Sequence, residues 1–179
     1  KAFEFIGHDV LVSSDKKAII DADFLVVPGQ WACSQAMTQL KKLDLVSPIK
    51  DHVLANRPFL GICLGFQILF EYSEEHGGVD ALNLFPGHVE LFPSDSQKVP
   101  QMGWNTIHIQ DAHAFTLPSI QQDSHVYFVH SFFVKDTTPD IIATRTDYGQ
   151  SYVSAIRSGN VWGTQFHPEK SGDIGLGML

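Results

Sequence analysis

The stretch from Phe59 to Gln67, FLGICLGFQ, constrains this chain more than any other. Residues 59–63 form an unbroken apolar run, which reads as a strand buried on both faces. Residues 65–73 (GFQILFEYS) follow at once and read as a helix. A buried strand passing directly into a helix belongs to α/β architectures with parallel strands. Glycines stand two places before and two places after Cys63. In so sharp a turn, side chains at those positions would collide, and glycine also tolerates the unusual dihedrals. The segment is the cysteine counterpart of a nucleophile elbow. At the start of a helix, the dipole and the free N–H groups favour thiolate over thiol. The same groups, that of Leu64 first, can receive an oxyanion. Taken alone, Cys63 is either a nucleophile or a small buried side chain at a glycine-rich strand end. Cys33 has none of these features and is expected to be packing.

The surrounding pattern agrees with an α/β chain. Residues 8–13 (HDVLVS) and 24–28 (FLVVP) read as strands, and residues 35–45 and 47–55 as helices. The second half changes character. Residues 89–92, 106–110, 126–129, 141–145, 153–157 and 161–166 read as successive strands, with no helix between Pro86 and Leu179. Ser158-Gly159-Asn160 joins two of them as a hairpin. The expectation is an α/β fold: a mostly parallel open sheet flanked by helices, with an antiparallel, strand-rich C-terminal half. Residues 1–179 are expected to form a single domain. Residues 1–5 look like the tail of a helix and residues 172–179 like a glycine-rich stub, so a first strand is expected to be absent and both ends truncated.

Composition excludes other classes. With 12 basic and 20 acidic residues the formal net charge is −8, which argues against nucleic acid as a partner. No apolar run reaches the roughly 18 residues that cross a bilayer, so no membrane association is expected. Two cysteines are too few for a disulfide framework, and a cytoplasmic setting is the default. The nine histidines are scattered, and neither a metal site nor a cofactor is expected.

A cysteine nucleophile needs a base. Phe166-His167-Pro168-Glu169 closes the last expected strand. In extended chain, residues i and i+2 point the same way, so Glu169 can fix the tautomer of His167. A second oxyanion donor is expected from the loop after an earlier strand, Pro28-Gly29-Gln30-Trp31, with Gly29 giving the freedom for the Gln30 N–H to face the cysteine.

Together, GICLGFQ, VPG and FHPEKSG resemble the class I glutamine amidotransferases, whose fold is flavodoxin-like. The segments Val99–Asn105 (VPQMGWN), Tyr127–Phe132 (YFVHSF) and His167–Gly172 (HPEKSG) narrow the likeness to the glutaminase subunits of imidazole glycerol phosphate synthases, and it runs from about Phe24 to Gly177. The resemblance implies that Cys63 attacks the side-chain amide of L-glutamine, that His167 protonates the leaving ammonia, and that Glu169 orients His167. It implies oxyanion donors at Leu64 and Gln30, with Gly29 permitting the second. It implies substrate contacts from Gln67, His130 and Ser131. As a bare sequence feature, Gln67 could equally be a polar residue on a helix face. The implied partner is a (β/α)8-barrel cyclase, met by Trp104, Asn105 and Lys170, although Trp104 could also be an ordinary core residue.

The chain departs from that family in three places. Gln30-Trp31 stands where Val-Gly is usual, which restricts positive φ in the oxyanion loop. The N-terminal strand with its Gly-Asn-rich loop is absent. His-Ser-Phe132-Phe133 replaces a Tyr-rich segment and removes hydroxyls. The rival readings are a glutaminase serving a different synthase, a binding or regulatory module with little activity, and a related cysteine hydrolase or peptidase. The last class usually lacks the closely spaced His-x-Glu pair.

Overall fold

Apolar runs and amphipathic stretches alternate through the first half, and in the computed structural model they become alternating strands and helices. The model describes residues 1–29, 31–95, 97–110 and 119–179. In chain order the first half comprises α1 (Ala2–Phe5), α2 (Lys16–Asp21), β1 (Leu25–Val27), α3 (Cys33–Lys42), α4 (Val46–Leu54), β2 (Phe59–Ile62) and α5 (Leu64–Gln67). The short strands β3 (Tyr72–Ser73) and β4 (Val79–Asp80) follow, then β5 (His88–Leu91), β6 (Gln101–Thr106) and β7 (His108–Ile109). The chain continues through β8 (His125–His130), β9 (Phe132–Val134), β10 (Ile142–Asp147), β11 (Ser151–Ser158), β12 (Val161–Thr164), a 3-10 turn at Pro168–Lys170, and α6 (Gly172–Leu176).

The main sheet runs β1-β2-β12-β11-β9-β5-β3-β4, with β10 and then β7 joined onto β11. β2 is parallel to both β1 and β12, while β11 is antiparallel to β12, β10 and β9. A separate antiparallel ribbon pairs β6 with β8. The expected parallel first half and antiparallel second half therefore meet at β12. β2 is buried on both faces. Phe59 packs into the larger core with Met37, Ile49, Phe66 and Leu69, and Leu60 and Ile62 face the opposite side with Val26 and Trp162. Alternate side chains of a strand point to opposite faces, so an apolar residue at every position marks a strand covered twice. A second core under the antiparallel half is largely aromatic, with Phe92 stacked on Phe133 at 4.4 Å and edge-on to Tyr152 at 5.5 Å.

Four expectations are corrected. Residues 8–13 form no strand: Leu11 and Val12 are 77% and 94% exposed, and among the described residues no neighbour supplies a ladder. The helix expected over residues 65–73 is the single turn of α5. The carbonyls of Ile68, Leu69 and Phe70 accept from the N–H groups of Leu82, Leu84, Phe85 and Asn83, so they no longer bond to the next helical turn. The strand expected over residues 106–110 is split, its first residue ending β6 and residues 108–109 forming β7. The chain also closes on α6, where no helix was expected. The Ser158-Gly159-Asn160 hairpin forms as read, with Ser158 opposite Val161.

Candidate active site

Cys63 lies between β2 and α5 with φ +55° and ψ −105°, a backbone conformation that L-residues avoid. Its N–H donates to the Thr164 carbonyl on β12 at 2.7 Å, and its carbonyl accepts from Phe66 and Gln67 at 3.1 and 3.0 Å. The flanking glycines are dictated by contact. A Cβ on Gly65 would stand 1.7 Å from the Val27 carbonyl oxygen, and one on Gly61 would stand 2.4 Å from the Gly65 carbonyl oxygen. The elbow can therefore press against β1 and β2 only where those positions carry hydrogen.

β12 brings the candidate base, His167, to the same place. The chain leaves β12 through Gln165 and Phe166 to His167, whose N–H donates to the Tyr127 carbonyl on β8 at 2.9 Å. Ser171 ties the same two segments together: its hydroxyl donates to the His167 carbonyl at 2.6 Å and accepts from the Tyr127 N–H at 3.0 Å. His167 Nδ1 stands 2.7 Å from Glu169 Oε1. A carboxylate only accepts, so Nδ1 carries a proton and Nε2 is the nitrogen left to exchange one with the sulfur. Nε2 is buried, with the Cys63 sulfur as its polar neighbour. Burial pulls the imidazole pKa down, but the ionised Cys63 sulfur and the Glu169 carboxylate beside it outweigh that and hold it at about 9. Burial in turn pushes the Glu169 carboxyl up, and His167 more than reverses the effect, leaving it below the usual range. The arrangement suits proton exchange between sulfur and imidazole.

The other expected site residues fall around this pair. Gln67 ends α5, buried, with Nε2 donating to the Phe132 carbonyl at 2.8 Å and to Gln165 Oε1 at 3.0 Å. The ring of His130 is already committed: Nδ1 donates to the Phe132 carbonyl at 2.8 Å, and Nε2 lies 3.3 Å from the Tyr152 hydroxyl. Burial brings its pKa down to about 4, so it stays neutral. His130 thus braces the wall of the site, whereas Ser131 is half-buried at the turn between β8 and β9. Leu64 follows Cys63 and is buried against the loop after β1, where a Cβ on Gly29 would lie 2.9 Å from the Leu64 Cβ. Gln30 lies outside the described residues. Trp31 is 66% exposed.

A family model, Glutamine amidotransferase class-I, matches residues 12–175. The chain belongs to the class I glutamine amidotransferases. Among curated proteins it is 44% identical to the imidazole glycerol phosphate synthase subunit HisH of Syntrophotalea carbinolica, over all of this chain and 89% of that protein. It is 43% identical to the subunit of the same name from Aquifex aeolicus, over all of this chain and 86% of that protein. Among solved structures, a crystal structure described as a glutamine amidotransferase aligns with TM-score 0.74 at 15% identity, covering 99% of this chain and 91% of that one. The glutaminase domain of Trypanosoma brucei CTPS with bound acivicin aligns with TM-score 0.65 at 17% identity, covering 98% and 81%. At those identities the likeness is one of fold.

In this amidotransferase the β6–β8 ribbon carries two of the expected interface residues, Trp104 and Asn105, and the 3-10 turn Pro168–Lys170 carries the third, Lys170. Trp104 is 57% exposed and meets Tyr127, its cross-strand partner, edge-on at 6.1 Å. Lys170 Nζ sits 5.9 Å from the centre of the same Tyr127 ring. Trp104 is therefore a surface residue, which closes the core alternative. Asn105 is tied inward, its Nδ2 donating to the Asp147 carbonyl at 3.0 Å. Sequence reading missed two groups that touch the sulfur. Gln165 Nε2 is 3.7 Å from Cys63 Sγ, and the Val129 carbonyl is 4.0 Å from it. Gln165 lies in the bend after β12, and Glu169 reaches His167 from the 3-10 turn Pro168–Lys170 and not from extended chain as expected, so the approach of Gln165 to the thiol is set by the fold. The Val129 carbonyl is backbone and carries no sequence signal.

Proposed function

We propose that this chain is the glutaminase subunit of an imidazole glycerol phosphate synthase, acting in histidine biosynthesis as one domain over residues 1–179. It hydrolyses L-glutamine to glutamate and ammonia, and the ammonia passes to a (β/α)8-barrel cyclase subunit. The Cys63 proton resides on His167 Nε2, and the thiolate attacks the side-chain amide carbon. The negative charge on the amide oxygen is received by backbone N–H groups at Leu64 and in the Gly29-Gln30 loop. The C–N bond breaks as His167 protonates the leaving nitrogen, and a glutamyl thioester remains. His167 then takes a proton from water, which attacks the thioester. Glutamate leaves, and the thiolate is restored beside the protonated His167. Gln67 and Ser131 hold the α-amino and carboxylate groups of the substrate, with His130 bracing the pocket wall. Trp104, Asn105 and Lys170 belong to the cyclase-facing surface.

The observation that carries this reading is the 2.7 Å contact between His167 Nδ1 and Glu169, which leaves the buried Nε2 to the sulfur of a cysteine held at positive φ. The names of the curated relatives support the choice of synthase. Among the described residues no helix is long and apolar enough to cross a membrane. Both cysteines are free, as suits a cytoplasmic enzyme. Cys63→Ala is expected to abolish glutamate release, measured with the cyclase subunit present, while the circular dichroism spectrum stays that of the parent. Parent-level turnover from Cys63→Ala would remove Cys63 as the nucleophile.

A further inference from the structure

We propose that Gln165 is a catalytic residue of this glutaminase, its side-chain amide donating an N–H to the Cys63 sulfur and so holding the thiolate from which the reaction starts. The proposal rests on the reading of Cys63 as nucleophile.

The orientation of the amide follows from a chain of forced choices. The Phe132 carbonyl can only accept a hydrogen bond. Gln67 Nε2 lies 2.8 Å from it, so Gln67 turns its NH2 group toward that oxygen. The same NH2 group is 3.0 Å from Gln165 Oε1. Gln165 must therefore present its oxygen to Gln67 and its NH2 to the other side, where Cys63 Sγ stands 3.7 Å away. The backbone of Gln165 is fixed as well, its N–H donating to the Ser154 carbonyl at 2.9 Å. Gln165 is fully buried, so bulk water does not compete for its N–H.

The two uncharged polar neighbours of the sulfur respond oppositely to its ionisation. The Val129 carbonyl, at 4.0 Å, can accept from a thiol S–H but repels a thiolate. The Gln165 N–H favours the sulfur more once the proton has left, because hydrogen bonds to an ionised acceptor are the stronger ones. Cys63 is itself 7% exposed, so its charge must be met largely by protein groups. His167 supplies a positive charge only until it gives its proton to the leaving nitrogen. The amide stays in place through the cycle and can receive the thiolate again when the thioester is hydrolysed.

The test is Gln165→Met, which keeps the length of the side chain and removes the donor. The rate of Cys63 alkylation by iodoacetamide is followed against pH, with the Cys63 peptide read by mass spectrometry so that Cys33 does not contribute. The midpoint is expected to rise by about one pH unit. The glutaminase kcat with the cyclase subunit present is expected to fall about tenfold, and the KM for glutamine to change less than about twofold. Gln165→Glu keeps an oxygen toward Gln67 and sets a carboxylate against the sulfur, so it is expected to raise the midpoint further. A folded Gln165→Met with the parent midpoint and parent kcat would overturn the proposal. If that variant does not fold, an unmoved midpoint in Gln165→Glu overturns it instead. Cys63→Ala separates the two readings: if it keeps turnover the nucleophile is wrong, and if it is dead while both Gln165 variants behave as the parent, only the role of the amide is wrong.

Discussion

Glu169 decides which nitrogen of His167 holds the proton. Glu169→Gln keeps the size of the side chain but removes the charge that stabilises the imidazolium. The kcat is expected to fall by about 10²–10⁴-fold. The basic limb of the pH–rate profile assigned to His167 should move below its position at about 9, because one of the two partners raising that pKa is gone. Stability carries a matching sign. The folded chain binds the His167 proton more tightly than the unfolded chain, where a histidine titrates near ~6.5. The stabilising contribution is therefore complete below ~6.5 and is lost as the pH rises through about 9. Urea unfolding at the two ends of that window should show a smaller loss for Glu169→Gln than for the parent.

At the scale of elements, the elbow is a packing constraint before it is a chemical one. β1, β2 and α5 meet where Gly65 lies under the Val27 carbonyl, and the 1.7 Å approach of an added Cβ leaves no rotamer by which to escape. Gly65→Ala is expected to cost several kcal/mol, about 3 or more, and to push α5 off the sheet. Urea unfolding reads the first effect and loss of glutaminase turnover reads the second. This local crowding is also why the site was legible in the sequence. Glycine on either side of a cysteine, and a carboxylate two residues from a histidine, are short-range patterns whose meaning depends little on distant structure. The length of α5 was not legible, because the carbonyls that end it are claimed by residues 82–85, a contact set by tertiary packing. The strand expected at residues 8–13 failed for a related reason. Alternation and β-branching describe a surface suited to a sheet, but a ladder needs a neighbour. Gln165 was not legible either, because the bend after β12 and not strand alternation turns it to the sulfur.

Over the whole molecule, the two halves of the fold each supply one half of the proposed chemistry. The parallel half presents Cys63, and the last strand of the antiparallel half delivers His167. The ribbon of β6 and β8 touches both, since the Val129 carbonyl faces the sulfur at 4.0 Å and the Tyr127 carbonyl accepts from the His167 N–H at 2.9 Å. Trp104, directly opposite Tyr127 on that ribbon, is turned outward. A partner seated on Trp104 would therefore press on a strand whose other side fixes the spacing between nucleophile and base. Such a partner should raise glutaminase turnover as it binds. Exposed aromatics at the centre of a contact often carry about 2 kcal/mol or more of its affinity. Trp104→Ala is accordingly expected to raise the cyclase concentration needed for half-maximal glutaminase turnover by about 10–100-fold. Turnover at saturating cyclase should approach that of the parent, because the proposed triad and its supports are untouched. The measurement is a titration of the cyclase subunit against glutamate release for parent and variant. If the two curves superimpose, Trp104 lies outside the contact and the ribbon is not the route by which the partner reaches the site.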